Sequence, residues 1–383
     1  MREVSIIGVG QTAVGEHWQR SLRELGAEAV RGALADAGIE KPQALFVGNM
    51  MSGILNHQEN LATLIADFAG FPGIEALKIE AACASGGAVV RAAQLAVASG
   101  ACDFAVALGI EKMTDLAIDG VTSALATAAD ADYEAAHGVT FAALNALLMR
   151  LYMERYGYQR RDFAPFIITA HQNGVNNRFA MFRERVTAEE FLESAMVADP
   201  ISILDSSPVS DGAAAVVLCP SEQARSFTDH PVKILGSATA TDTIGLATRR
   251  DPLRFEACYQ SAHRAYRQAR LQPEDIDLFE LHDAFTIVSA LSLESACFAE
   301  EGHGVRFAQE GHIGLNGRLP ISSQGGLKAR GHPVGASGTY QIVEAVEQLR
   351  GRAGANQVKD CEVAMTQSVG GMASVAVTHI LGV

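Results

Sequence analysis

The sequence predicts an α/β fold whose mostly parallel sheet is built from two similar halves. Apolar stretches typical of strands alternate with long helical patterns, and glycines separate them. The 383 residues exceed one ordinary core, and 48% of them are hydrophobic while only 19% are charged. The order of elements repeats after residue 230, which indicates an internal duplication.

The first half begins with a short apolar strand and a helix that carries one apolar stripe. The next helix is apolar nearly all round and has a small-residue face, a pattern typical of a helix buried between two layers. The elements predicted here are strand Val4–Gly8, helix Ser21–Ala37, strand Ala44–Gly48, the stretch Leu77–Ala82, helix 84–98 behind Cys83, and strand Asp103–Leu108.

The second half repeats this order and ends on a similar strand. The closing stretches of the two halves, 210–218 and 370–377, are both small and apolar. The elements predicted here are strand Val232–Leu235, helix Phe255–Ala269, strand Ile276–Leu281, a helix from His332 to about Arg350, and strand Glu362–Gln367.

These patterns divide the chain into residues 1–117 plus 201–228, an inserted segment 118–200, and residues 229–383. Between Arg150 and Arg185 the insert carries seven arginines against three acids. This excess suits a phosphate-bearing ligand, with Arg183 as a candidate contact, but for any single arginine a solvated helical face or a subunit interface is the more favoured explanation.

Bulk properties exclude several classes of protein. The net charge of −14 argues against a nucleic acid or an anionic membrane as the main partner. The apolar stretch at the N-terminus is too short for a signal peptide, and no apolar segment reaches the length of a membrane span. The six scattered cysteines form no Cys-x-x-Cys pair, so we expect reduced thiols, no bound metal and a cytoplasmic protein.

Two stretches carry candidate chemistry. Cys83 opens a run of small residues after a strand, and the helix that follows should lower the pKa of its thiol. His332 lies in a glycine-rich stretch that begins the equivalent helix of the second half. Taken singly, the cysteine is more often a small core residue and the histidine a satisfied core group. Together they predict a thiol and an imidazole at the meeting point of two buried helices, which is an acyl-transfer site.

These stretches resemble the thiolase superfamily over essentially the whole chain. Cys83 matches the family's nucleophile, and 331–338 matches its Gly-His-Pro-x-Gly-Ala-(Ser/Thr)-Gly motif. The stretch 282–285, His-Asp-Ala-Phe, replaces Asn-Glu-Ala-Phe and is characteristic of the sterol-carrier-protein and archaeal acetoacetyl-CoA branches. Ser207 begins a stretch, 207–215, that in the family lies near the pantetheine arm.

The resemblance implies a fold and a set of partners. The expected fold has two βαβαβαββ halves in five layers, αβαβα, with an inserted loop domain. Coenzyme A would be a substrate rather than a bound cofactor. A homodimer or a pair of dimers is expected, and His-Asp-Ala-Phe relatives often associate with a small partner that has an oligonucleotide/oligosaccharide-binding (OB) fold and a zinc ribbon.

Two departures concern the base that moves the α-proton. Where many thiolases have a second cysteine in Cys-x-Gly, this chain has Ser368-Val369-Gly370, and the alternative cysteine position is Ala284. His282 is therefore the best candidate base, with Ser368 or a water assisting. By resemblance, His282 and His332 would form one oxyanion hole, and the N–H groups of Cys83 and Gly370 another.

Four functions remain open on the sequence. The first is an acetyl-CoA acetyltransferase or 3-ketoacyl-CoA thiolase. The second is a related enzyme, such as a ketoacyl synthase, that passes the acyl group to a different carbon acceptor. The third is a partner-dependent retro-aldolase, against which the presence of Cys83 counts. The fourth, a non-catalytic scaffold, is disfavoured by the intact pair Cys83 and His332.

Overall fold

A computed structural model describes residues 2–383, so Met1, the first residue of the predicted first half, lies outside the described residues. The strands follow the predicted order with longer or shifted bounds. They are β1 (Val4–Gln11), β2 (Ala44–Gly48), β3 (Glu75–Ile79), β4 (Ala105–Glu111), β5 (Met196–Ala198), β6 (Ile201–Ser202), β7 (Gly212–Pro220), β8 (Val232–Thr241), β9 (Leu278–Glu280), β10 (Val363–Gly370) and β11 (Val375–Gly382).

The helices also follow the predicted order, and local signals set their ends. Ser21 caps α1 through a capping box with Glu24, and Gly38 ends it in the left-handed conformation. The helices are α1 (Leu22–Ala37), α2 (Ser52–Leu55), α3 (Leu61–Ala69), α4 (Ser85–Ser99), α5 (Ile118–Ala126), α6 (Phe141–Tyr156), α7 (Ala164–Gly174), α8 (Ala188–Glu193), α9 (Ser221–Ala224), α10 (Glu256–Ala269), α11 (Thr286–Ser295), α12 (Gly304–Gln309) and α13 (Val334–Leu349).

One nine-stranded sheet contains both halves, in the order β3-β2-β4-β7-β1-β8-β11-β10-β9. Five of its eight strand pairs are antiparallel, so the prediction of a mostly parallel sheet is wrong. Within the sheet, the halves join at the start of β1, where Ser5 faces Lys233 and Ile6 faces Val232. Counted outward from this junction, the first half runs β1, β7, β4, β2, and the second half runs β8, β11, β10, β9. In each half these are the first, last, next-to-last and second strands of the chain order, which confirms the duplication. The third strand of the second half is reduced to a single bridge between Phe279 and Ile321, so the two halves are not identical.

The helices form five layers with the two half-sheets. An outer apolar cluster packs α1 and α3 on the first half-sheet, and another packs α10 and α11 on the second. A third cluster lies between the half-sheets and contains α4 and α13. A Cβ on Gly86 would lie 2.7 Å from the backbone nitrogen of Thr339, so glycine allows these two central helices to touch.

The insert folds against the second half. Residues 118–200 contribute α5 to α8 and the strand β5. Tyr152 and Phe163 of this segment share an apolar cluster with Phe255 and Leu291. The insert therefore covers the end of the second half-sheet, beside the start of the central helices. Among residues 2–383, no helix combines the length and the apolar composition that a membrane crossing requires.

Candidate active site

Cys83 lies in a tight turn between β3 and α4. Ala82, just before it, has a φ of +50°, a conformation that L-residues seldom adopt. The hydroxyl of Ser85 accepts the N–H of Ala81 at 2.9 Å and donates to the carbonyl of Ala82 at 2.6 Å. This side chain holds the turn closed, so Cys83 is fixed at the entrance of the central helix α4.

The thiol is held in its neutral form. Burial raises the pKa of Cys83 to about 12, and the carboxylate of Glu111 adds to the rise. The backbone N–H of Gly371 opposes this rise by hydrogen bonding to the sulfur. The prediction of a lowered thiol pKa from the helix dipole is therefore wrong for the free protein, because desolvation outweighs the helix end.

His332 precedes α13, and its ring is held by a serine of that helix. Its Nδ1 lies 2.7 Å from the hydroxyl of Ser337, whose oxygen lies 3.2 Å from the carbonyl oxygen of Pro333. With the hydroxyl proton directed to Pro333, Nδ1 carries the ring proton and Nε2 is the free acceptor. Burial first, and then His282 and Arg330, lower the pKa of His332 well below its ordinary value.

His282 follows β9 and stands edge-on to His332. The two ring centroids are 5.1 Å apart and the ring planes meet at 84°. Burial, assisted by the positive charge of Arg330, lowers the pKa of His282 to about 3. Its Nδ1 is buried without a hydrogen-bond partner within residues 2–383. Both imidazoles are therefore neutral at physiological pH.

A cavity of about 110 Å³ brings these groups together. Its polar side chains come from the central layer, the second half and the insert, and apolar side chains form the rest of its wall. The lining residues are Cys83, Leu125, Phe141, Asn145, Ser207, Phe255, His282, Ala284, Phe285, Val288, His332, Val369, Gly371, Met372 and Ala373. Of the predicted site residues, Cys83, His282, His332 and Ser207 thus share one cavity.

The amide beside the thiol belongs to Gly371 rather than to Gly370. Gly371 lines the cavity with a φ of +57°, whereas Gly370 lies behind it. A Cβ on Gly370 would lie 2.5 Å from the carbonyl oxygen of Ala81. Gly370 is needed for this close approach to the Cys83 turn, and the amide of Gly371 is a second candidate donor beside it.

Two other predicted residues lie away from the cavity wall. The hydroxyl of Ser368 donates to Oε1 of Gln341 at 3.0 Å between the central helices. Ser368 is therefore not placed to assist a base at the thioester. Arg183 is exposed and is absent from the wall as well.

Five of the seven arginines between 150 and 185 fall into two groups. Arg150 pairs with Asp199 and Arg155 with Asp251, and Arg160 stacks on an aromatic ring. These three stabilise the insert and its packing on the second half. Arg183 and Arg185 are exposed and make no ion pair with any of residues 2–383. The first group thus fits the interpretation as a surface face of the insert, whereas Arg183 and Arg185 are available to a ligand.

Sequence reasoning missed a buried carboxylate next to the site. Glu111 ends β4, and its oxygens accept the backbone N–H groups of Met50, Met51 and Gly335 and the side-chain amide of Asn49, at 2.8–3.0 Å. Burial raises the pKa of Glu111 to about 7 against these donors. The sequence signal that could have identified this residue is an acidic side chain at the carboxyl end of an otherwise apolar strand. Glu111 fixes the first turn of α13, which follows His332.

Comparison with known proteins identifies the family. The chain matches the family model described as the thiolase N-terminal domain over residues 4–222, and the one described as thiolase C-terminal domain-like over residues 238–383. The chain therefore belongs to the thiolase family, and it is a thiolase-type acyltransferase.

Relatives similar over their whole length include two archaeal proteins. The acetyl-CoA acetyltransferase of Methanothermobacter thermautotrophicus is 47% identical over 99% of both chains, and that of Methanocaldococcus jannaschii is 39% identical over 100% of this chain and 99% of its own. The benzoylsuccinyl-CoA thiolase subunit BbsB of Thauera aromatica is 32% identical over 97% of this chain and 95% of its own.

Two solved structures share the fold. The Ltp2-ChsH2(DUF35) aldolase matches with a TM-score of 0.86 and 25% identity, over 99% of this chain and 97% of that one. The acetyl-CoA acetyltransferase from Syntrophomonas wolfei matches with a TM-score of 0.75 and 17% identity, over 100% of this chain and 99% of that one. At this identity the second match supports the fold alone.

Proposed function

We propose that this thiolase is an acetyl-CoA C-acetyltransferase that interconverts two acetyl-CoA with acetoacetyl-CoA and free CoA. The observation that carries the proposal is the convergence of Cys83, His332 and His282 on one small, mostly apolar cavity. The 47% identity to an archaeal acetyl-CoA acetyltransferase supports the acetyl group as the substrate. Coenzyme A is a substrate in this reaction, and no cofactor is required.

In the first half-reaction the acetyl group moves to the thiol. Since the thiol is neutral, its proton passes to Nε2 of His332 as the sulfur attacks the thioester carbon. The N–H of Gly371, and that of Cys83, donate to the oxygen that becomes negative. When the carbonyl re-forms, the C–S bond to CoA breaks, and the CoA thiolate takes the proton back from His332.

In the second half-reaction an acetyl-CoA carbanion attacks the acetyl-enzyme. Besides the thiol and His332, the cavity wall offers three polar side chains, those of Asn145, Ser207 and His282. Of these, only the imidazole of His282 has a basic lone pair in its neutral form, since the serine hydroxyl would first have to lose its own proton and the amide is not basic, so we assign it the α-proton. The new C–C bond forms as the Cys83 thioester breaks, and the thiol recovers the proton through His332.

Intact-protein mass spectrometry tests the assignment. Wild type incubated with acetyl-CoA should gain one acetyl group, which added CoA removes, and it should consume acetoacetyl-CoA when CoA is present. Cys83→Ala should gain none, whereas Cys297→Ala, which changes the exposed cysteine, should behave as wild type. Full acetylation of Cys83→Ala would contradict the nucleophile assignment.

A second candidate function is a partner-dependent retro-aldolase. The likeness to the Ltp2-ChsH2(DUF35) aldolase favours it, because that structure matches this chain over 99% of its length. The two functions separate on Cys83: a retro-aldol cleavage needs no acyl-enzyme, so its rate should survive Cys83→Ala. Loss of all activity in that variant would exclude this candidate.

We further propose a homodimer and a small partner protein. The strand β3 pairs only with β2 among the described strands, and its Leu77 is exposed, so this sheet edge is open to a second copy. The OB-fold, zinc-ribbon partner is proposed by resemblance, and the likeness to the Ltp2-ChsH2(DUF35) aldolase supports it. Light scattering of the purified chain, with Leu77→Lys as the variant, tests the dimer.

The assignments of the insert are proposals as well. We propose that residues 118–200 cover the CoA arm, with 1–117 plus 201–228 and 229–383 as the two halves. Ser207 would contact the pantetheine, and Arg183 the CoA phosphates. Arg183→Ala should raise the KM for acetyl-CoA and leave kcat unchanged, with Arg150→Ala, which breaks a surface ion pair, as its control.

A further inference from the structure

A buried glutamine joins the segments that carry the catalytic groups. Gln341 lies on α13 and is 1% exposed. Its Nε2 donates to the carbonyl of Leu281 at 2.7 Å, and lies 3.2 Å and 3.3 Å from the carbonyl oxygens of Glu280 and Gln367. Its Oε1 accepts the hydroxyl of Ser368 at 3.0 Å.

Each of these contacts lies next to a group of the site. Leu281 immediately precedes His282, whose own side chain has no hydrogen bond that would fix the ring. Gln367 and Ser368 lead along β10 to Gly371, whose N–H faces the thiol. Gln341 itself belongs to the helix that His332 precedes. One amide therefore connects the three segments that carry His282, the amide of Gly371 and His332.

The orientation of this amide is determined. All three of its carbonyl neighbours are acceptors, so the NH₂ group must face them and Oε1 must face a donor. Ser368 supplies that donor. This gives the serine a role other than base chemistry: its hydroxyl keeps the amide of Gln341 from turning over.

We propose that Gln341, oriented by Ser368, is the positioning residue that sets His282 and the Gly371 amide relative to His332 and Cys83. A displacement of about 1 Å between reacting groups costs on the order of 10²-fold in rate. Replacing the amide by an apolar side chain removes the connection and leaves buried carbonyls unpaired. The proposal rests on the proposed function, since acyl transfer is the reaction whose geometry is set.

The test compares two buried glutamines of the same helix. Gln348 is also 1% exposed and bonds to Asn356 and Val358, away from the cavity. Gln341→Leu should lower kcat for acetoacetyl-CoA cleavage about 10²-fold with KM within about twofold, because positioning acts on the transition state. Gln348→Leu should lower the melting temperature by a similar amount and keep kcat. Equal kcat in the two variants would overturn the proposal.

A second pair keeps the test decisive if Gln341→Leu does not fold. Ser368→Ala removes one hydroxyl and should lower kcat about tenfold, while Ser261→Ala removes a buried hydroxyl bonded to Thr378 and should not. Unchanged kcat in Ser368→Ala would also overturn the proposal.

The rate at which iodoacetamide alkylates Cys83 tests the positioning role of Gln341 even if the proposed acetyl transfer does not occur. If wild type forms no acetyl-enzyme, the proposed function fails. Slower alkylation in Gln341→Leu than in Gln348→Leu would still support the positioning role, and equal alkylation rates would count against it.

Discussion

Glu111 controls both the charge near the thiol and the start of the helix behind His332, and Glu111→Gln separates these effects. Each carboxylate oxygen accepts two N–H groups: Oε1 those of Asn49 and Met51, and Oε2 those of Met50 and Gly335. In the glutamine one oxygen becomes an NH₂ group. Two buried donors then face another donor, and the negative charge near Cys83 is gone.

The expected magnitudes follow from these contacts. A buried donor left without an acceptor costs about 1–3 kcal/mol, so Glu111→Gln should lower the free energy of unfolding by roughly 2–4 kcal/mol. Since the carboxylate is the second cause of the raised thiol pKa, after burial, the thiol should become more acidic. We therefore expect alkylation at a given pH to become faster, by on the order of tenfold.

The assay is the rate of iodoacetamide alkylation at Cys83 as a function of pH, with urea unfolding alongside. Glu80→Gln is the matched control, because Glu80 also raises the thiol pKa but is exposed and screened by water. Its effect on both measurements should be small. An alkylation profile of Glu111→Gln that coincides with that of Glu80→Gln would refute the assignment of Glu111 as a buried charge acting on the thiol.

Three further predictions concern His282, Asp211 and His379. His282→Ala should slow C–C bond formation and cleavage more than acetylation of the enzyme; equal losses in both half-reactions would leave it as an oxyanion donor only. Asp211→Ala removes the acceptor of three backbone N–H groups and of Lys112, and should lower the free energy of unfolding in urea by about 3–5 kcal/mol. Asp103→Ala removes a partly exposed ion pair and should lower it by less than about 1 kcal/mol. Burial lowers the pKa of His379 to about 4, whereas the histidine of an unfolded chain has a pKa of about 6.5. As the pH falls below about 6.5, the unfolded chain therefore binds a proton that the folded protein does not bind, which favours unfolding. The free energy of unfolding should drop by about 2 kcal/mol between pH 7 and pH 5 from this residue, and His379→Gln should flatten that slope.

Much of the fold was predictable because local signals agree with tertiary packing. The glycines around Cys83 and His332 mark the two central helices, and their close contact requires those glycines. The strand β8 was predicted to end at Leu235 but continues to Thr241. Its second part, 236–241, consists of glycine, serine, alanine and threonine, and lacks the large apolar side chains that mark the first part as a strand.

The site was predictable in its residue types and less so in its electrostatics. The sequence places a thiol before a helix, which alone predicts a lowered pKa. The opposite result comes from burial and from Glu111, which is 28 residues away in the chain. Gly370 stays a predicted oxyanion donor, and the neighbouring Gly371, which lines the cavity with a positive φ, was not singled out from the sequence. Gln341 was missed because a polar residue on a helix is expected to face water, whereas nearly all of α13 is buried.

Under the proposed function, the neutral state of Cys83, His282 and His332 explains how acyl transfer could proceed without a second cysteine. A thiol with a raised pKa and two imidazoles with lowered pKa values hold no net charge, so an apolar cavity can enclose them at little desolvation cost. Charge then develops only when an acyl thioester is bound, on the oxygen that faces the Gly371 amide and on the imidazole that receives the proton. Transition-state charges are stabilised more strongly than those of the resting enzyme, which is the condition for raising kcat. Neutral His282 can accept the α-proton once the neighbouring oxyanion has formed, because that negative charge raises the basicity of the imidazole.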